Sequence, residues 1–103
     1  MKRPLTYILV ALFLAVTGLA DSLHRIKEDV LGAYSKADYT EMMSMFAIHD
    51  TKAVKQMVDQ GKVIGIRKGS EVYLESIDLI AGIAEVRPKG STIAVWISSD
   101  FVD

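Results

Sequence analysis

The chain has 103 residues, half of them hydrophobic, and a formal net charge of −1 from 12 basic and 13 acidic residues. Binding to a nucleic-acid backbone relies on clustered lysine and arginine, and this sequence has no basic stripe, so nucleic acid is not expected as a partner. The absence of cysteine excludes disulfides, thiol catalysis and lipidation at a cysteine.

The first 20 residues have the composition of a secretory signal peptide. Lys2 and Arg3 supply a basic start, residues 5–16 are mostly apolar, and Gly18 and Ala20 supply small residues before a cleavage site. We therefore predict cleavage after Ala20 and export to the periplasm or the medium, with membrane contact only through this segment before cleavage. The alternative is an uncleaved anchor, which would need about 20 apolar residues to cross the bilayer.

The remaining chain, residues 21–103, is predicted to form one domain. Its net charge is −3, because the first 20 residues contain two basic residues and no acidic one. This length is sufficient for one hydrophobic core and too short for two. Residues 21–60 have helix-like spacing of apolar positions, whereas residues 61–103 alternate as strands do. The predicted fold class is α+β, with N-terminal helices before a small antiparallel β structure.

Residues 21–60 are predicted to contain three helices, of which the first would begin at Ser22. Its apolar face would be formed by Leu23, Ile26, Val30 and Leu31, which lie at helical spacing.

The second and third helices are predicted on either side of Asp50. Residues 40–49 are rich in apolar side chains but lack a clean stripe. The third helix is better defined, because Asp50 is a good N-cap and Gly61 suits the left-handed residue that ends a helix. Its buried face would be formed by Ala53, Val54, Met57 and Val58.

Four strands are predicted after Gly61, separated by turns that contain glycine. They cover residues 63–66, 71–75, 83–87 and 92–98. In the last strand, Ile93, Val95 and Ile97 would face the core. Since side chains alternate along a strand, Trp96 would lie on the opposite, outer face, and Tyr73 of the second strand would do the same.

These strands resemble the bacterial SH3-like (Src-homology-3-like) barrels. Residues 61–64 (GKVI) and 68–74 (KGSEVYL) look like the opening strands of that family. Residues 96–102 (WISSDFV) are similar to its closing signature, an aromatic-led strand, a 3₁₀ turn and a last aromatic–aliphatic strand. Residues 50–61 also look like those of small exported bacterial proteins that place helices before such a barrel. The resemblance implies N-terminal helices followed by an SH3-like antiparallel barrel in residues 61–103.

The resemblance also implies a function. SH3 domains that bind proline-rich peptides line their groove with a tyrosine-rich motif and a paired-tryptophan motif, and this sequence has neither. The exported bacterial versions are thought of as modules that bind cell-wall components or peptides. A non-enzymatic binding or accessory module is therefore implied, with a cell-wall component or a protein as partner and without a cofactor.

Three aromatic residues, Tyr73, Trp96 and Phe101, form the candidate ligand-binding site. Tyr73 and Trp96 are predicted on the outer face of the strands, where Phe101 would extend them into a shallow groove. An exposed patch of this kind would mark a binding site. The alternative, which we favour, is that the helices pack on this face, because their own apolar sides must be covered.

No catalytic residue is assigned, and a hydrolase with an unrecognised site is one alternative function. Ser98 and Ser99 lack the flanking glycines of a nucleophile elbow and are expected to cap or turn the chain. Glu71, Glu75 and Glu85 lie on strands, as the paired carboxylates of glycosidases do. Charged residues on an exposed strand face explain them more simply.

The other alternative function is a small extracytoplasmic copper-binding protein. Met42, Met43, Met45 and His49 fall within eight positions, and thioethers and imidazole suit Cu(I), with Trp96 as a further residue of such sites. Methionines on a helix more often fill gaps in a core, so no metal ligand is assigned.

Overall fold

The computed structural model describes residues 22–103, so the predicted signal peptide and its cleavage site lie outside the described residues. Over these residues the chain forms six strands and two helices. They are β1 (Ser22–Arg25), β2 (Val30–Ala33), α1 (Lys36–Ala47), α2 (Thr51–Asp59), β3 (Val63–Ile66), β4 (Glu71–Asp78), β5 (Ile83–Pro88) and β6 (Val95–Ser98), followed by a 3₁₀ turn (Ser99–Phe101).

All six strands belong to one antiparallel sheet with the order β1-β4-β5-β6-β2-β3. The sheet is not closed, because β1 and β3 are its two edges and do not pair with each other. The α+β class predicted from the sequence is therefore confirmed. Both helices lie between β2 and β3 in the chain, so they are an insertion within the sheet and do not precede it.

One face of the sheet, here called the inner face, holds the larger of two core clusters. Its seven buried residues are Ile26, Ile66, Val72, Ala84, Val86, Val95 and Ile97. Six of them are valine or isoleucine, whose branched side chains pack well on a pleated surface. Since one member follows β1 and another lies in β3, the two edges of the sheet turn toward each other around this core.

The other face, here called the outer face, is covered in part by the helices. Ala33 and Val63 form the floor of the second core cluster. Met42 of α1 and Val54 and Met57 of α2 pack on them, and all five side chains are buried. The two helices thus cover the β2–β3 end of the sheet.

The two predicted helices on either side of Asp50 are present. Asp50 accepts a hydrogen bond from the amide of Ala53 at 3.0 Å, and Gly61 has the predicted positive φ of 74°. Helix α1 begins earlier than predicted, at Lys36, because the Ser35 hydroxyl accepts from the amide of Asp38 and caps it. Val58 was predicted for the buried face of the third helix, and it is exposed.

The prediction of a first helix from Ser22 to Leu31 is wrong. This segment forms β1, a turn and β2. The helical spacing of its apolar residues is accidental, and a helix of about ten residues is barely stable without packing. Here the strands gain long-range partners instead: Ile26 forms a bridge with Val102, and Val30 pairs with Ile66.

The last strand begins later than predicted. Residues 92–94 lie outside β6, and Ile93 is 55% exposed, whereas Val95 and Ile97 are buried as predicted. The hydroxyl of Ser91 explains the difference, because it bonds to both the amide and the carbonyl of Ile93 and holds this residue in a local turn.

Candidate functional site

Tyr73 and Trp96, two residues of the candidate ligand site, lie on the outer face of the sheet. Tyr73 is paired with Arg87 of β5, and Trp96 is paired with Glu85 of β5 and with Ala33 of β2. Residues paired in an antiparallel ladder share a face, so these side chains form a row across β4, β5, β6 and β2. Helices cover only the Ala33 end of the row.

Tyr73 is half-buried beneath an arginine. The guanidinium of Arg87 lies 4.7 Å from the centre of the tyrosine ring, and its Nε donates to Oε1 of Glu75 at 2.6 Å. A cation over an aromatic face is an attractive arrangement. The flat face of the Tyr73 ring is therefore already occupied by a side chain of the same sheet.

Trp96 is also half-buried, at the boundary between the helix-covered and uncovered parts of the outer face. The ammonium of Lys36, the first residue of α1, lies 4.8 Å from the centre of its ring and bonds to the Asp78 carboxylate at 3.0 Å. The amide of Ala81 also donates to Asp78, and this bond together with Lys36 holds the pKa of the Asp78 carboxyl below its ordinary value.

Phe101 is separate from the other two candidate residues. It lies in the 3₁₀ turn, is half-buried, and packs against the inner-face core. Its free side contributes to a groove of about 400 Å³ between α1, β2 and the 3₁₀ turn. We call this the α1 groove. Its lining is formed by Asp29, Val30, Leu31, Tyr39, Met42, Met43, Phe46, Ser98 and Phe101.

The α1 groove is mostly apolar with a few polar groups at its surface. Tyr39 lies in α1, and partial burial, followed by the nearby negative charge of Asp100, raises the pKa of its phenol. The phenol is therefore a neutral hydrogen-bond donor at physiological pH. Met43 and Phe46 are exposed at the rim, and binding sites commonly combine such an apolar lining with a few orienting polar groups.

The sequence contains one indication of this groove that we did not use. The apolar residues of the second predicted helix are too dense for one stripe. Met42 is buried against the sheet, so Met43 and Phe46 are left on a second side of α1. A helix with two apolar sides needs a second surface to contact, and here that surface borders Phe101.

The serines considered as nucleophiles hold local structure. The Ser98 hydroxyl accepts from the amide of Asp100 at 3.4 Å and caps the 3₁₀ turn, while Ser99 donates to the carbonyl of Gly82 at 3.0 Å. These are the capping and turn roles expected from the sequence.

The three strand glutamates do not converge, since each contacts a different partner. Glu75 bonds to Arg87, Glu85 accepts from the Ser76 hydroxyl at 3.2 Å, and Glu71 lies 3.8 Å from the ammonium of Lys89. The partners lie on adjacent strands and fix the carboxylates in place along the sheet.

The methionines and histidine of the copper alternative lie in different environments. Met42 is buried in the helix–sheet core, Met45 packs against the same cluster, and Met43 is 45% exposed. His49 is exposed after the end of α1 and has a positive φ of 59°. Across residues 22–103, no group of three histidine or carboxylate side chains is placed to hold a metal ion.

Comparison with known proteins gave no relative from which a function could be transferred. No family model, curated protein or solved structure matches the chain. In the part of the chain that the structure describes, neither helix has the length and apolar character needed to cross a membrane. The functional argument therefore depends on the surfaces themselves.

Proposed function

We propose that this protein is an exported, non-enzymatic binding module and that the α1 groove binds its ligand. The observation that carries the proposal is the groove itself, whose volume of about 400 Å³ lies within the range of about 300–1,000 Å³ typical of ligand sites. Phe101 is the one member of the predicted aromatic site that borders it.

The chemistry of the lining favours an apolar peptide side chain as the group that is bound. Met43 and Phe46 at the rim are an adaptable thioether and a large aromatic, and both types are favoured at peptide-binding surfaces. The hydroxyls of Tyr39 and Ser98 are positioned to orient a peptide backbone at the edge. A glycan of the cell wall would instead favour more polar groups along the floor.

The absence of enzymatic activity is part of the proposal. The hydroxyls of Ser98 and Ser99 are engaged in local structure, and the strand glutamates are each held by a different neighbour. These contacts support a binding role, because a nucleophile requires an adjacent oriented base.

The proposal includes an SH3-like arrangement and export. The order β4-β5-β6, the 3₁₀ turn at Ser99–Phe101 and the bridge at Val102 support the first, since this is the order of the closing signature in that family. The basic start and apolar stretch of the first 20 residues support the second. Intact-mass measurement of envelope and culture fractions tests export: we expect a species that begins at Asp21, and a dominant full-length species would contradict it.

The ligand proposal is tested by NMR titration of the purified protein with short amidated peptides that carry a central phenylalanine, leucine or serine. We expect shifts at Leu31, Met43, Phe46 and Phe101 with the first two peptides and none with the serine peptide. Met43→Glu should abolish them by placing a charge at the rim. The matched control is Val58→Glu, at an apolar position of similar exposure on α2 (40% against 45%), which should bind normally. Equal loss in both variants would contradict the proposal.

A further inference from the structure

Strand β3 presents a free edge. Among residues 22–103, its only strand partner is β2, so the opposite side of Val63–Ile66 faces solvent. An unpaired edge carries backbone donors and acceptors that another strand can use.

The hydrogen-bond phase shows which residues carry these free groups. The amide of Tyr34 donates to the carbonyl of Lys62 at 3.1 Å, so Lys62 is in a bonded pair with β2. Because bonded and non-bonded pairs alternate in an antiparallel ladder, Ile64 and Ile66 also point their backbone groups toward β2. Val63 and Gly65 therefore direct theirs outward, and both could pair with an added strand.

The surface beside this edge has room for a side chain of such a strand. Gly65 is exposed and has no side chain, and a Cβ there would lie 3.9 Å from the nearest atom of Leu31. A shallow groove of about 320 Å³ runs past this point and is bordered by Leu31, Ile66 and Arg67. Ile64, on the inner face of β3, is exposed at the edge as a second apolar contact.

The charges at the two ends of the edge are all positive. Lys62 precedes β3, and Arg67 and Lys68 follow it. All three side chains are exposed, and within the described part of the chain none has a carboxylate partner. Asp29, the nearest acidic side chain noted here, accepts from the backbone amide of Lys68 and borders the groove.

We propose that the β3 edge binds an extended peptide segment whose two ends are acidic, by adding it to the sheet as a seventh strand. Main-chain bonds at Val63 and Gly65 supply affinity, and Lys62 and Arg67 select carboxylates at the two ends. This site is separate from the interior of the α1 groove and does not rest on the function proposed for it.

A second copy of the chain is disfavoured as the occupant. If two β3 strands paired antiparallel about their centres, Lys62 of one copy would lie opposite Arg67 of the other at both ends of the pair. Like charges placed opposite each other destabilise strand pairing, and lysine at an edge is a common protection against it. The same charges attract an acidic partner.

The probe is a fluorescent ten-residue peptide with an alternating valine–threonine centre and two glutamates at each end. The control peptide has lysines in place of the glutamates. Anisotropy with the purified protein should show binding of the acidic peptide about tenfold or more tighter than the basic one, with the difference reduced by salt. Equal binding of the two peptides would overturn the proposal.

Gly65→Pro tests the backbone contact, with Gly65→Ala as the matched control. Proline deletes the outward amide donor while the bonds to β2 remain, since proline is tolerated at an edge where its nitrogen faces solvent. We expect Gly65→Pro to weaken binding of the acidic peptide about tenfold and Gly65→Ala to change it little. Unchanged binding in the proline variant would overturn the proposal.

A charge variant keeps the test valid if the proline variant is unstable. Lys62→Glu/Arg67→Glu should invert the preference, so that the basic peptide binds more tightly, and Met43→Glu should leave both affinities unchanged. Loss with Met43→Glu alone would place the peptide in the α1 groove and overturn the β3 site without contradicting the groove. Concentration-dependent dimers in sedimentation that Gly65→Pro abolishes would also overturn it, because the occupant would then be a second copy.

Discussion

The two faces of the sheet are covered in different ways. The inner face is covered by the sheet's own edges, which turn inward so that seven side chains from five strands and the turn after β1 bury one another. The outer face is covered by an insertion of two helices over Ala33 and Val63, and the rest of it carries charged side chains over aromatic rings. A short chain thus completes one core and only part of a second.

The composition of the two cores follows from this difference. Stiff valine and isoleucine side chains suit the inner face, where strands fix the backbone positions. The helix–sheet contact contains Met42 and Met57, whose flexible thioethers fill irregular space between a helix and a sheet. Beyond the helices, Lys36 and Arg87 cover Trp96 and Tyr73 with their long aliphatic stems while their charges stay near water.

The largest effect is expected in the inner core. Ile97 is completely buried, and Ile97→Ala should lower the free energy of unfolding by about 2–5 kcal/mol, the range for truncation of a buried isoleucine. Ile93→Ala, in an exposed isoleucine four residues earlier, should change it by no more than about 0.5 kcal/mol. Urea unfolding followed by circular dichroism measures both, and similar losses would show that Ile93 belongs to the core after all.

Trp96 tests how well the outer face is covered at its boundary. Because the ring is half-buried, Trp96→Ala should cost about 2–3 kcal/mol, below the 3–5 kcal/mol of a fully buried aromatic residue. Indole emission should lie between the water-like and buried limits, and Lys36→Met should raise quenching by iodide. Fully water-like emission with no loss of stability would mean that the uncovered part of the outer face extends over Trp96.

Gly32 tests the close approach of β2 to the inner core. A Cβ at Gly32 would lie 2.7 Å from a methyl carbon of Val95, too close without a shift of the backbone. Gly32→Ala should therefore cost about 1–3 kcal/mol, the range for overpacking. Gly65→Ala in the partner strand meets only an ordinary contact and should be neutral or slightly stabilising. Urea midpoints that order the two variants the other way would contradict the assignment of the faces.

The smallest effect concerns the ion pair beside Trp96. Since the pKa of Asp78 is lowered in the folded protein, this carboxylate stabilises the fold above its unfolded pKa, and the stabilisation is lost as pH falls through the folded pKa. Asp78→Asn should thus be destabilising at neutral pH, with a difference from the wild type that shrinks in acid. A difference that stays constant with pH would mean that the charge of Asp78 does not contribute.

Local signals account for the elements that could be predicted from the sequence. Asp50 and Gly61 bound a helix by their own backbone chemistry, and alternation in β4 and β6 placed Tyr73 and Trp96 on one face. Residues 22–31 could not be predicted in the same way. Their strands exist because of partners such as Val102, which lies 76 positions after Ile26.

The candidate sites show the same limit. Phe101 lies apart from Tyr73 and Trp96 because a 3₁₀ turn directs the chain away from the outer face, and no alternation rule applies to a turn. The α1 groove requires α1 to lie beside that turn, and the free edge of β3 depends on which strand ends the sheet. Both are consequences of topology, whereas the faces of a strand are consequences of sequence.

The joining of the two ends of the described chain has a consequence for how the protein folds during synthesis. Lys27 donates to the carbonyl of Phe101, and Asp103 donates to the carbonyl of Arg25. The segment after β1 therefore has no permanent place until residues 101–103 have left the ribosome, even though it is made among the first of the described residues. Folding that depends on such distant contacts is slow, because the loop must close before the contacts can form. The nascent chain should accordingly stay open to chaperones and proteases until its last few residues appear.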